Sequence, residues 1–94
     1  MLTIRRLIWD SLNVAHIARH DVTPEEVEAV CHRDPLVQQG HTGRTVVVGP
    51  SSSGRMLEVV LDPEGSGVYY VVTAHPASRK DRALYAKEKG GETQ

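Results

Sequence analysis

The chain has 94 residues, 39% hydrophobic, with a formal net charge of −1 and a single cysteine, Cys31. That length gives one domain with a modest core, and the lone cysteine excludes an internal disulfide, so the fold must rest on apolar burial. The near-neutral balance argues against a stand-alone DNA-binding domain, which is usually basic.

No apolar run approaches the roughly 20 residues needed to span a bilayer. The N-terminal stretch carries Arg5 and Arg6 where a signal peptide needs an unbroken apolar region, so a cytoplasmic location is expected. Charge is unevenly spread. Asp21, Glu25, Glu26, Glu28 and Asp34 oppose Arg33 alone in residues 21–34, whereas residues 76–90 hold Arg79, Lys80, Arg82, Lys87 and Lys89 against Asp81 and Glu88. The basic end suits an anionic partner, and solvated helix faces explain the pattern equally well.

Residues 2–9, LTIRRLIW, are β-branched, apolar and aromatic and predict a first strand. Asp10 caps a helix whose inward face is read from Leu12, Ala15 and Ala18 and which stops near His20–Asp21. Thr23-Pro24-Glu25-Glu26 then predicts a capping box with proline at the first helical position, and Val22 and Val27 supply a hydrophobic staple. Val27, Val30 and Cys31 line one face of this second helix, which Asp34-Pro35 ends.

Beyond Leu36 the period changes. Leu36–Gln39 reads as an edge strand, and 45–48, 56–61 and 68–73 read as buried strands. The intervening Gly/Pro/Ser/Asp segments 49–54 and 62–67 are turn chemistry, so the runs form an antiparallel meander. Ser78 caps a last helix with Leu84 and Tyr85 inward, ended by Gly90-Gly91. The expected fold is α+β, ordered β-α-α-β-β-β-β-α, a sheet packed with helices. Residues 1–90 form the domain and 91–94 a loose tail.

Trp9 reads as a core anchor whose indole N–H needs a partner. Tyr69 and Tyr70 are adjacent in one strand, so at most one faces any site. His16 and His20 stand at i,i+4, a spacing that can hold zinc with Cys31-His32, but no tight Cys/His pairing recurs and no metal is assigned. Ser51-Ser52-Ser53 lacks both a nucleophile elbow and a Gly-Lys-Ser/Thr phosphate loop and is read as a turn. The set most suggestive of chemistry is His20, Arg44, His75, Arg79 and Tyr85, at strand and helix ends, where histidine moves protons and arginine binds phosphate. No local motif makes the five converge.

Trp9-Asp10, His16…Arg19-His20, Val22-Thr23…Glu25-Glu26, Asp34-Pro35, Gly49 and Thr73-Ala74…Ala77…Tyr85, in that order, resemble the BrnT-like toxins. These are toxin halves of bacterial type II toxin–antitoxin modules, with a fold related to RelE/ParE toxins. The resemblance runs from Trp9 to about Tyr85 and implies a metal-independent, cofactor-free endoribonuclease neutralised by a small DNA-binding antitoxin. It implies attack of the RNA 2′-hydroxyl on the adjacent phosphate. For that chemistry His20 and His75 are assigned as the proton-transfer residues, Arg44 and Arg79 as phosphate contacts, and Tyr85 as orienting one of them. A homodimer is a further expected partner state.

Three positions depart from the family pattern. Ser11–Val14 holds no lysine, Asp21 stands where glycine usually follows the histidine, and His75 stands where the last strand usually carries arginine. The alternative expectation is therefore a catalytically degenerate binding module that docks an antitoxin, or its own copy, through a sheet edge or the acidic second helix.

Overall fold

The computed structural model describes residues 4–90; the expected tail 91–94 and the start of the expected first strand lie outside them. The elements are β1 (Arg6–Ile8), α1 (Ser11–Ala18), α2 (Pro24–Arg33), β2 (Leu36–Gln39), β3 (Thr45–Pro50), β4 (Met56–Gly65), β5 (Val68–Pro76) and α3 (Arg79–Tyr85). A 3₁₀ turn at His41–Gly43 and a π-helical turn at Ala86–Gly90 complete the order, which is the expected one.

The predicted capping box at Thr23 forms, and the predicted cap at Asp10 is a capping box as well. Asp10 accepts from the Leu12 and Asn13 amides at 2.9 Å while Asn13 reaches back to the Asp10 amide. Thr23 accepts from Glu26 N and Glu26 accepts from Thr23 N, each at 3.2 Å. These pairs satisfy amides that no intrahelical carbonyl can reach.

The sheet runs β1-β5-β4-β3-β2. β2, β3, β4 and β5 form the predicted antiparallel meander, but β1 joins β5 in parallel, with Leu7 opposite Tyr69. The sheet is thus mixed. Two helices separate β1 from the meander, and no hairpin turn dictates its direction. β4 and β5 also run past their apolar stretches, through Asp62-Pro63-Glu64, and the turn tightens to Ser66-Gly67 with Gly67 at φ +75°. Only glycine takes that backbone without strain.

Ile17 of α1 and Val27, Val30 and Cys31 of α2 pack on Val47, Leu57, Val59, Leu61, Tyr69, Val71 and Ala74 of the sheet. Burial raises the Cys31 thiol to about 12, so it stays neutral and serves as a small apolar side chain. α3 lies on the other face, where Val48, opposite Glu58, is fully buried.

The inward face of α1 differs from the predicted one. Leu12 is 74% exposed, Ala15 and Ala18 are also exposed, and Asn13 and Ile17 point inward. The Asn13 amide donates to Ile8 O at 2.9 Å and to Val71 O at 3.1 Å. It occupies the place where β1 ends and β5 loses its strand partner. A polar residue can be buried there because its bonds are made, which apolar periodicity does not register.

Trp9 is partly buried and its indole N–H donates to Glu28 at 2.8 Å, the anchor role expected of it. The serine run is a turn, but it is not idle. Ser51 and Ser53 donate to Glu26 Oε2 at 3.1 and 2.7 Å, and Arg55 donates to both Glu26 oxygens at 3.1 and 3.0 Å. Arg55 also donates to the Asp21 carbonyl. Glu26, 8% exposed, thereby ties α2 to the β3–β4 turn.

Candidate active site

Along β4, Leu57, Val59 and Leu61 face the α1/α2 core, which directs Glu58, Val60 and Asp62 to the opposite, open face. β5 would alternate likewise, and strict alternation puts Tyr70 and His75 on opposite faces. A bulge prevents this. Thr73 pairs with Val60 and Val71 with Leu61, which leaves Val72 as an extra residue. Tyr70, opposite Asp62, and His75, opposite Glu58, therefore share the open face, while Tyr69 enters the core.

α1 runs along the β5 edge beyond β1 and brings its histidines to the same face. The rings of His16 and His20 lie 5.8 Å apart, and those of His20 and His75 are also 5.8 Å apart, both edge-on. His75 Nε2 lies 3.3 Å from Glu58 Oε1. Four side chains from α1, β4 and β5 thus form a continuous row.

His75 Nδ1 is 3.1 Å from the Pro76 carbonyl, which can only accept, so Nδ1 carries a hydrogen. Nε2 then faces the Glu58 carboxyl. Burial and the Asp81 carboxyl of α3 push Glu58 above the ordinary glutamate range, and His75 pulls the other way. A carboxyl so placed keeps its affinity for a proton.

Of the five residues named from sequence, the fold unites His20 and His75. Arg79 opens α3 at the same end, four residues past His75 and two before Asp81, and is exposed. Tyr85 closes α3, six residues and roughly 9 Å further along the helix. Arg44 pairs with Asp62 at 3.5 Å, four residues along β4 from Glu58, roughly 13 Å away on the same face. His16 and Glu58 belong to the row and Asp81 flanks Glu58, yet sequence reasoning did not select them for catalysis. The available signal was Glu58 itself, the one carboxylate inside the otherwise apolar run 56–61. Among the described residues no three histidine, cysteine, aspartate or glutamate side chains form a metal-binding group.

A shallow groove of about 350 Å³ adjoins the row between α1 and β5, with Leu12, His16, Arg19, Tyr70 and Val72 among its walls. The Tyr70 hydroxyl donates to the two Asp10 carboxylate oxygens at 3.2 and 3.0 Å.

No protein-family model matches this chain, and no curated protein matches it. Among solved structures, the crystal structure of the Brucella abortus ribonuclease toxin BrnT superposes with a TM-score of 0.63. The match covers 79% of this chain and 97% of that one, at 22% identity. The chain has the BrnT fold. The fold that the resemblance implies is thus borne out in three dimensions.

One departure from the BrnT-like pattern has a structural reading. Asp21 sits at φ +61°, the left-handed region that glycine enters freely. Asp21 N donates to Ala18 O and Val22 N to Ile17 O, closing α1 with a Schellman turn. Aspartate tolerates that conformation better than most residues, and Arg55 holds its carbonyl. The turn that presents His20 is kept without the glycine.

No helix among the described residues is long and apolar enough to cross a membrane.

Proposed function

We propose that this protein is a toxin of the BrnT kind, a metal-independent endoribonuclease that cleaves RNA by attack of the 2′-hydroxyl on the neighbouring phosphate. The observation that carries this reading is the row His16–His20–His75–Glu58 on a BrnT fold. One of His20 and His75 takes the 2′-hydroxyl proton and the other protonates the leaving 5′-oxygen. Glu58 holds His75 and exchanges a proton with it. Arg79 meets the reacting phosphate, and Arg44, further along the same face, meets a neighbouring one. Tyr85, at the far end of α3, orients Arg79 through the helix. Dependence on a 2′-hydroxyl restricts the substrate to RNA.

The partners follow from the same reading: a cognate DNA-binding antitoxin encoded nearby, in the cytoplasm of a bacterium, within the wider RelE/ParE group. The test is induced expression of wild type beside His75→Ala and Arg79→Ala. Growth arrest by wild type alone, with cleaved RNA and activity retained in EDTA, is expected. Full toxicity in both variants removes the site assignment.

A second reading, a binding module without catalysis, draws on β2. This edge strand leaves Val37 39% exposed, and the buried Gln38 side-chain nitrogen has no hydrogen-bond partner. A strand added by an antitoxin, or by a second copy to give a homodimer, extends the sheet there. Healthy growth with abundant wild-type protein, and a dimer lost on Val37→Lys, support this reading instead.

A further inference from the structure

We propose that the groove between α1 and β5 is a nucleobase subsite, which seats one base of the RNA while its phosphate lies on the histidine row. The proposal rests on the ribonuclease reading of that row and adds a determinant of base preference to it.

Three features of the groove support this occupant. Its apolar lining, Leu12, Ala15 and Val72, includes a leucine left 74% exposed on a helix face that could have carried a polar residue. A buried base covers such surface at about 25 cal/mol per Å². Tyr70 supplies an aromatic ring in a fixed pose, because its hydroxyl is bonded to both oxygens of the Asp10 cap. A pre-positioned ring is what base stacking requires, and stacking strength differs from base to base, which gives the groove a base preference.

The third feature is continuity. His16 lines the groove and also begins the row, so the groove leads through His16 and His20 to His75. Arg19, on the groove wall, offers a guanidinium to the sugar–phosphate backbone. An apolar slot with cationic groups at its rim matches a nucleotide, which joins a flat apolar base to an anion. The bulge at Val72 turns Tyr70 and His75 to one face, so base platform and proton-transfer group are set by the same irregularity in β5.

The test is an NMR titration of the full chain with each nucleoside 3′-monophosphate, with inorganic phosphate as the parallel titrant. Nucleotides are expected to shift the amides of Leu12, Tyr70 and Val72, which phosphate leaves in place, while both titrants shift His16 and Arg19. Tyr70→Leu is expected to weaken nucleotide binding about tenfold, whereas Tyr70→Phe retains most of it. Leu12→Ser, at an exposed position where folding is not at risk, is expected to weaken it several-fold. Equal shifts of Leu12, Tyr70 and Val72 with phosphate, or unchanged affinity in Tyr70→Leu and Leu12→Ser, overturn the subsite.

RNA cleavage by Tyr70→Leu with unaltered base preference overturns the subsite and leaves the ribonuclease reading intact. Nucleotide binding in the groove by a wild type that cleaves no RNA overturns the ribonuclease reading alone.

Discussion

Two carboxylates of this small domain sit among cationic partners and are driven in opposite directions. Glu26 accepts from the Thr23 amide, two serine hydroxyls and Arg55, and these bonds, Arg55 foremost, hold it down to about 2 against burial. Glu58 is half-buried beside Asp81 with only His75 to favour its charge, and it is pushed up. A carboxylate saturated with donors has its proton affinity removed and becomes a fastener. One that is undersupplied keeps its proton affinity and can take part in chemistry. The first knot holds α2 to the β3–β4 turn, and the second group sits in the open histidine row.

The sharpest way to break this comparison is through the row itself. His20→Ala is expected to lower RNA cleavage by at least about a hundredfold, the usual contribution of a general acid or base, with no loss of thermal stability. His20 is exposed, so melting by circular dichroism beside an oligonucleotide cleavage assay separates the two effects. A cooperative loss of both would make the row structural.

Glu26→Ala is expected to destabilise the fold by about 3 kcal/mol in denaturant titration, because it strands Arg55 and two serines. The sign with pH follows from a folded value of about 2 below the ordinary 4.5. The Glu26 contribution is present above 4.5 and is lost as pH falls through that value towards 2. Acid unfolding of wild type should therefore steepen in that window and flatten in Glu26→Ala.

Glu58 has the reverse sign. Its raised value favours the folded state while the group is protonated, and that advantage fades as pH rises through the folded value. Glu58→Gln is expected to leave stability at neutral pH unchanged or raise it by up to about 1 kcal/mol. The same variant is expected to shift one limb of the pH–rate profile for RNA cleavage. A stability loss comparable with that of Glu26→Ala would erase the distinction between the two carboxylates.

The smallest effect lies where the regions meet. Asp21 follows His20 and gives its carbonyl to Arg55. Asp21→Gly relieves the left-handed backbone and is expected to add about 0.5–1 kcal/mol, with cleavage retained.

Much of the fold was legible because its signals are local. Asp10, Thr23 and Ser78 start helices through bonds made within three residues, and the turn chemistry around 49–54 and 62–67 dictates a meander whatever surrounds it. His20 and His75 were selected by side-chain chemistry and do meet.

Long-range geometry decided the rest. The parallel entry of β1, the burial of Asn13 in place of Leu12, the bond from the serine turn to Glu26 and the distance of Arg44 from the histidines depend on partners far away in sequence. The bulge at Val72 is the clearest case, since alternation alone puts Tyr70 and His75 back to back. One extra residue reverses the parity of a strand, and only pairing with β4 determines where that residue falls. The sequence by itself determined which residues can carry protons and bind phosphate. The tertiary structure decided which of them share a face, because a face is a property of pairing between strands and not of any one strand.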